Sequence, residues 1–229
     1  MEFQGINKLS LLDYPGKVAA ILYIDKCNFR CEYCHNWNTL IAANDNEDLI
    51  FNDILAFLKK RVGILDGVVI SGGEPTLMPN LEEKIRAIKE LGYSIKLDTN
   101  GTHPEVIKDL VSKGLIDYIA MDIKSSLDDY HRFCNNDALI ENVKESIGLL
   151  KSGIVDYEFR MTLIEEYHSL EVINKVKETL RGSKRLYLQQ FKVSDGVINK
   201  DLHAVDEGLA NKFVEILSQS VETVELRGY

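Results

Sequence analysis

The chain alternates between short apolar runs and longer segments in which apolar residues recur at helical spacing. The short runs, rich in Val, Ile, Leu and Tyr, predict β-strands covered on both faces. The predicted strands are residues 18–25, 67–71, 94–98, 117–123, 158–163 and 186–190. The longer segments predict amphipathic helices. The predicted helices are residues 51–62, 81–91, 104–113, 138–151, 170–181 and 206–219.

Strands and helices that alternate with short connections predict parallel strands joined by right-handed crossovers. We therefore expect an α/β fold, a partial (β/α)6 barrel of parallel strands with outer helices; the same units left open would make a doubly wound sheet. No Pro/Gly-rich linker or change in composition marks a boundary. A single domain spanning residues 1–229 is the prediction, with residues 26–37 forming a loop after the first strand.

Composition and charge narrow the possible functions. The 229 residues carry 36 Asp and Glu against 27 Lys and Arg, a net charge of −9, and 45% are hydrophobic. These values are typical of a soluble globular protein. The sequence has no apolar run long enough for a membrane span and no signal peptide, so we expect a cytoplasmic protein with no membrane contact. The acidic balance disfavours nucleic acid as a partner.

Three of the four cysteines lie close together, immediately after the first predicted strand. They are Cys27, Cys31 and Cys34. Chemistry in barrels and open α/β sheets takes place at the carboxyl ends of the strands, where this loop begins. Three thiolates in one loop suit a soft metal centre, either zinc or iron–sulfur.

The cysteines by themselves leave four interpretations open. Residues 31–35 match the C-x-x-C-H pattern of haem attachment, which belongs to exported cytochromes and leaves Cys27 unexplained. A structural zinc site could take His35 as its fourth ligand. A [4Fe–4S] cluster bound by three cysteines would leave one iron open for a substrate. The last interpretation is three unrelated cysteines of the core.

The spacing C-x3-C-x2-C, with Tyr33 before the last cysteine, resembles the radical S-adenosylmethionine superfamily. The resemblance implies that the amino and carboxylate groups of S-adenosylmethionine bind the open iron. Gly72, Gly73 and Glu74, after the second predicted strand, resemble the superfamily motif that holds the methionine amino group. Paired glycines at a strand end allow a ligand to approach the backbone closely, although an ordinary turn would use them too.

Polar residues also end the later strands. Asp98 and Asn100 share one face of the third predicted strand, and Asp122 and Lys124 share one face of the fourth. In the resemblance, Asp98 or Asn100 would bond ribose hydroxyls, and Lys124 would neutralise the cofactor carboxylate, a role for which Arg160 is a second candidate. A purely structural Asp122–Lys124 pair is the alternative.

Together these motifs resemble the glycyl-radical-enzyme activases, from about residue 8 to residue 192. The opening of the chain, residues 9–17, is most similar to anaerobic ribonucleoside-triphosphate reductase activating proteins. Cofactor contacts are then implied for a set of residues across the chain. They are Tyr33, Asn36, Gly72, Gly73, Glu74, Asp98, Asn100, Asp122, Lys124 and Arg160.

The resemblance implies an anaerobic oxidoreductase. Flavodoxin or ferredoxin would reduce a [4Fe–4S] cluster held by the three cysteines, and S-adenosylmethionine would be cleaved to a 5′-deoxyadenosyl radical. That radical would take hydrogen from a glycine of a partner glycyl radical enzyme, anaerobic ribonucleotide reductase. Asp98, Thr99 and Asp122 would also help to hold a monovalent cation.

Further expectations concern the rest of the chain. Residues 13–17 would help to shape the entrance for the partner, and Cys134 would be an inert buried thiol. Residues 189–192 read Gln-Gln-Phe-Lys where relatives often carry a histidine. The alternatives are a radical enzyme acting on a small molecule or nucleoside, and a zinc or iron–sulfur module without catalysis.

Overall fold

The structure, a computed structural model, describes residues 3–35, 50–134 and 136–229. Eight strands form one sheet in which their order follows the chain from β1 to β8. The strands are β1 (Gly5–Ser10), β2 (Ala19–Ile24), β3 (Gly67–Gly72), β4 (Ser94–Thr99), β5 (Tyr118–Asp122), β6 (Asp156–Leu163), β7 (Arg185–Gln190) and β8 (Thr223–Arg227).

Helices follow most strands, as the apolar periodicity predicts. They are α1 (Phe51–Lys59), α2 (Leu81–Lys89), α3 (Pro104–Ser112), α4 (Asp137–Lys151), α5 (Leu170–Thr179) and α6 (Glu207–Leu217). Short 3-10 turns cover Pro75–Leu77 and Leu127–Arg132. Side-chain caps explain where several helices begin, since Asn136, Ser169 and Asp206 each accept a hydrogen bond from the backbone of the first turn. The predicted α/β fold class is confirmed.

The pairing of the strands is mostly parallel. β2, β3 and β4 pair in parallel, and so do β6, β7 and β8. β1 pairs antiparallel to β2. The apolar runs of the sequence predict neither β1 nor β8. β1 reads GINKLS and is half exposed, so it lacks an apolar run, whereas Val224 and Leu226 alternate with polar residues in β8 and offered a weak signal.

The described chain divides into two compact units. The first unit comprises residues 3–28, 50–99 and 105–119, and the second comprises residues 29–35, 100–104 and the described residues from 120 onward. Part of the core of the first unit is a cluster of aromatic and aliphatic side chains: Tyr14, Ala19, Ile21, Val69 and Tyr118. In the second unit, β6 and β7 bury Phe159, Met161, Leu186 and Leu188. The single-domain assignment stays a prediction.

Residues 13–17 do not adjoin the cysteine motif. They connect β1 to the start of β2, where Ser10 pairs with Ala19, whereas Cys27 follows the end of β2. The six residues of β2 separate the two places by roughly 17 Å at the usual rise of a strand. The antiparallel first strand therefore delivers this segment to the end of β2 away from Cys27. Its role in shaping the entrance for the partner stays a prediction.

Among the helices that the structure describes, none is both long enough and apolar enough to span a lipid bilayer.

Candidate functional site

The glycine turn after β3 packs directly against the backbone that follows β2. Gly72 has a φ of +107°, and a Cβ atom at this position would lie 2.4 Å from the carbonyl oxygen of Ile24. The Gly73 amide donates to that same oxygen at 2.9 Å, and the Glu74 amide donates to the Lys26 carbonyl at 2.6 Å. Only glycine fits at position 72, and the turn thereby holds the segment that leads into the cysteine motif.

The Glu74 side chain is fully buried in the first unit. Its Oε1 accepts hydrogen bonds from the Thr99 hydroxyl at 2.7 Å, the Thr76 hydroxyl at 2.5 Å and the Thr76 amide at 3.1 Å. A buried carboxylate needs such donors to offset its loss of water. Glu74 therefore fixes the turn to the end of β4, and a contact with cofactor stays a prediction for it.

Asp98, near the end of β4, is 8% exposed. Its Oδ2 accepts a hydrogen bond from the Ser71 hydroxyl at 3.0 Å, and its Oδ1 forms an ion pair with Lys96. Lys96 is 1% exposed, and the sequence analysis did not single it out. Asp98 thus has partners within the first unit on both carboxylate oxygens.

The three motif cysteines fall into different units. Cys27 belongs to the first unit, and Cys31 and Cys34 belong to the second, where the Cys34 amide donates to the Cys31 carbonyl at 3.1 Å. None of the four cysteines, all of which the structure describes, forms a disulfide. Within the described residues, no group of three or more His, Cys, Asp or Glu side chains is arranged to hold a metal ion. The three-cysteine ligand set stays a prediction, and Asn36 lies outside the described residues.

Asp122 lies between two cations in the second unit. Its Oδ2 is 3.0 Å from Lys124 Nζ, and its Oδ1 is 2.9 Å from Arg160 Nε. Burial by itself would raise the pKa of Asp122, but the charges of Arg160 and Lys124 outweigh burial and lower it well below its usual value. Burial acts in the opposite direction on a lysine and would lower the pKa of Lys124, but the Asp122 carboxylate keeps this pKa well above its ordinary value. Asp122, Lys124 and Arg160 are therefore all charged at neutral pH.

The backbone of Lys124 is held from two sides. Its amide donates to the Tyr130 hydroxyl at 3.0 Å, and its carbonyl accepts from His168 Nε2 at 3.0 Å. His168 Nδ1 accepts the Ile164 amide at 2.8 Å, so the ring carries its proton on Nε2. Burial lowers the pKa of His168, which favours this neutral form. His168, which the sequence analysis missed, therefore positions Lys124.

Tyr33 is buried among aromatic rings of the second unit. Its ring centroid lies 6.0 Å from that of Phe133 and 6.2 Å from that of Tyr167, and Lys124 Nζ is 5.9 Å from it. Burial raises the pKa of the Tyr33 hydroxyl well above its ordinary value. This hydroxyl has no hydrogen-bond partner among the described residues, although buried hydroxyls normally have one.

Asn100 uses its side chain locally. Its Oδ1 accepts hydrogen bonds from the Thr102 amide at 3.0 Å and the Thr102 hydroxyl at 2.7 Å. This is the turn-forming behaviour expected of an asparagine after a strand. A contact between Asn100 and ribose hydroxyls stays a prediction.

The segments after β6 and after β7 contact the cysteine motif within the second unit. Glu32 Oε2 accepts from the Tyr167 hydroxyl at 2.7 Å and from Asn199 Nδ2 at 3.1 Å, and these bonds lower the Glu32 pKa. His35 Nε2 donates to the Lys192 carbonyl at 2.6 Å. No pattern in the sequence could have indicated these contacts, because their partners lie 135 to 167 residues apart.

This chain is similar to a known protein family and to characterised members of it. The model of the radical SAM superfamily matches residues 21–177. A protein of Methanocaldococcus jannaschii, whose proposed assignment is glycyl-radical enzyme activating enzyme, is 35% identical over 97% of this chain and 94% of its own length. The pyruvate formate-lyase-activating enzyme of Clostridium pasteurianum is 31% identical over 56% of this chain and 54% of its own.

Solved structures agree on the fold. Streptococcus suis SuiB bound to S-adenosylmethionine superposes with a TM-score of 0.66 at 15% identity, over 91% of this chain and 49% of SuiB. The likeness at this identity concerns the fold alone. The match to the family model over most of the chain, and the relative that is similar over nearly its whole length, decide the family. The chain belongs to the radical S-adenosylmethionine superfamily and is an enzyme of that class, which implies a [4Fe–4S] cluster and S-adenosylmethionine as cofactors.

Proposed function

We propose that this protein is an activating enzyme that generates the radical of a partner glycyl radical enzyme. The observation that carries the proposal is the relative with a proposed activating function, which matches 97% of this chain and is itself covered over 94% of its length. The pyruvate formate-lyase-activating enzyme supports the same class over a shorter stretch.

The donor set suits the cluster that the family implies. Cys27, Cys31 and Cys34 would hold it, since thiolates are the ligands that iron–sulfur clusters take and none of the three is in a disulfide. When bound, the cluster and S-adenosylmethionine supply the one-electron chemistry that makes a 5′-deoxyadenosyl radical. The protein supplies binding, orientation and exclusion of water.

The remaining polar groups would orient the cofactor. Lys124 and Arg160 would hold its carboxylate, because both are cations throughout the neutral range and Asp122 fixes their positions. The backbone at Gly72 and Gly73 would receive the amino group. Tyr33 would line the site beside the cluster, and Asn36, Glu74, Asp98 and Asn100 complete the proposed set.

Anaerobic ribonucleotide reductase is the proposed partner, and flavodoxin or ferredoxin the proposed electron donor. Both rest on the resemblance of residues 9–17 and of the strand-end motifs. The monovalent cation is left out of the proposed cofactor set, because Asp98 is already paired with the Lys96 ammonium. A small molecule or nucleoside as substrate is the competing outcome of the test below.

The decisive experiment uses protein that is reconstituted anaerobically with iron and sulfide and reduced with dithionite. We expect conversion of S-adenosylmethionine to 5′-deoxyadenosine in the wild type and none in Cys31→Ala. Cys134→Ala is the matched control: Cys134 is equally buried but lies outside the motif, so this variant should keep the activity. Turnover in Cys31→Ala would refute the ligand assignment.

The partner is tested separately. Addition of an anaerobic ribonucleotide reductase should give the doublet of a glycyl radical in electron paramagnetic resonance, with 5′-deoxyadenosine formed in proportion. Cofactor cleavage without a glycyl radical on any such reductase or lyase would transfer the assignment to a small-molecule substrate.

A further inference from the structure

Lys96 is a lysine buried in the sheet of the first unit. It is 1% exposed, and its ammonium forms an ion pair with Asp98 Oδ1, two residues along β4. Residues two apart on a strand point to the same face, so this pair is built into β4 itself. A buried ammonium without a counterion would shed its proton or destabilise the fold, which is why buried lysines are almost always paired.

The surroundings of the pair fix it further. The Ser71 hydroxyl, on the neighbouring strand β3, donates to Asp98 Oδ2 at 3.0 Å. Thr99, the next residue along β4, donates its hydroxyl to Glu74 Oε1 at 2.7 Å. Asp98 and Thr99 are two of the three residues that the resemblance implies for a monovalent cation site. Both are engaged by groups of the first unit.

Asp122, the third group of that expected site, has partners of its own in the second unit. Lys124 and Arg160 lie 3.0 Å and 2.9 Å from its two oxygens. Each carboxylate named for the cation thus already faces a fixed positive charge on this chain. A sodium or potassium ion added beside Asp98 would be repelled by the Lys96 ammonium at close range, in a setting where water screens charge poorly. The residues present do not fit a bound monovalent cation.

We propose that the Lys96 ammonium takes the place of a monovalent cation at Asp98. Lys96 is then a positioning residue: its fixed charge holds the Asp98 carboxylate, and through it the end of β4, without an exchangeable ion. The protein should therefore be indifferent to the identity of the monovalent cation in solution. Removal of the ammonium should leave an anionic pocket of oxygen atoms that accepts potassium or sodium.

The inference is tested by cation titration of the cluster-loaded protein without S-adenosylmethionine. Thermal unfolding is followed at constant ionic strength as tetramethylammonium chloride, whose ion is too large for the pocket, is exchanged for potassium or sodium chloride. We expect no saturable shift of the midpoint in the wild type. In Lys96→Met, which keeps most of the side-chain volume, saturating potassium or sodium should raise the midpoint by about 5 °C.

Lys84→Met is the matched control. Lys84 is also buried in the first unit, with its ammonium 4.9 Å from the Phe51 ring centroid and 5.5 Å from that of Phe3. Loss of this charge should lower stability without creating cation dependence. Where Lys96→Met does not fold, Lys96→Met combined with Asp98→Asn removes both charges and should fold with no cation dependence. A saturable shift in the wild type, cation indifference in Lys96→Met, or cation dependence in the double variant would each overturn the proposal.

A second measurement separates positioning from stability. Formation of 5′-deoxyadenosine, which rests on the proposed function, should proceed at the same rate in potassium and tetramethylammonium for the wild type. For Lys96→Met the rate in tetramethylammonium should fall about tenfold or more and recover in potassium, a rescue that lost stability alone would not produce at a temperature where both forms are folded. If no variant cleaves the cofactor, the proposed function fails, while the titration still decides the role of Lys96.

Discussion

Within each of the two compact units, the residues proposed to bind the cofactor are held in place by different means. In the first unit Asp98 has an ion pair with the buried Lys96, but Gly72 and Glu74 are fixed by close backbone packing and by hydrogen bonds. Gly72 touches the backbone of Ile24, and Glu74 is fully buried under three hydrogen bonds from threonines. In the second unit the proposed groups are charges that balance one another, since Asp122 pairs with Lys124 and Arg160.

Substitutions at Gly72 and at Asp122 should therefore have different effects, because the first is constrained by packing and the second by charge. Backbone packing tolerates no added atom, so a change in the first unit should disturb the fold before it disturbs the chemistry. Ion pairs at partly exposed positions contribute less to stability, because water competes for the same groups. The Asp122 side chain is 32% exposed, so a change in the second unit should weaken cofactor binding while the fold persists.

Gly72→Ala should have the largest effect. Its Cβ would meet the Ile24 carbonyl at 2.4 Å, and its φ of +107° disfavours any side chain, so we expect a loss of about 3–5 kcal/mol in the free energy of unfolding. Gly92→Ala is the control, because Gly92 has a φ of +92° but no atom within 4 Å of an added Cβ; its cost should be about 1–2 kcal/mol. Urea unfolding measures both. Equal losses would show that the close approach at Gly72 does not constrain the fold.

Asp122→Asn should have an intermediate effect on stability and a larger one on cofactor binding. It leaves Lys124 and Arg160 facing each other without a counterion, which should cost about 2 kcal/mol at pH 7 and weaken S-adenosylmethionine binding by misplacing both cations. Folding lowers the pKa of Asp122. The contribution of this carboxylate to the free energy of unfolding is therefore complete above the pKa of Asp in the unfolded chain, about 3.9, and declines as the pH falls below it.

Denaturation of the wild type and Asp122→Asn from pH 7 to pH 3 measures this dependence, and the difference between them should shrink toward the acid end. Glu178→Gln breaks the exposed pair with Arg181 and is the control, because water competes for both groups and stability should hardly change. A difference that stays constant across this range would contradict the assigned pairing.

Tyr167→Phe should have the smallest effect. It keeps the ring that packs on Tyr33 and Phe133 but removes the 2.7 Å hydrogen bond to Glu32, so we expect a loss of about 1 kcal/mol and a rise in the Glu32 pKa. Carbon NMR of the Glu32 carboxyl measures the pKa. A double-mutant cycle with Glu32→Ala should return most of the stability loss as coupling between the two residues; independent effects would show that the contact is not energetically significant.

The alternation of apolar runs and helical periodicity was enough to predict the repeated elements. Six strands and six helices are found close to their predicted bounds, because burial on both faces of a strand or one face of a helix leaves a regular pattern. β1 was missed since an edge strand that is half exposed needs no such pattern. The position of residues 13–17 could not be predicted for the same reason, because the antiparallel direction of β1 decides at which end of β2 they lie.

The sequence by itself determined which chemical groups are available. The cysteine spacing, the paired glycines and the polar strand ends are local features, which can be read along the chain without knowledge of the fold. Only the tertiary structure decided the partners. Asp122 meets Arg160 across 38 residues, and Glu32 meets Asn199 across 167. Strand register and loop packing bring such groups together, and neither is recorded in local composition. Lys96 and Asp98 are only two residues apart, yet the sequence could not show that they pair. Their burial decides it, because it removes water as an alternative partner.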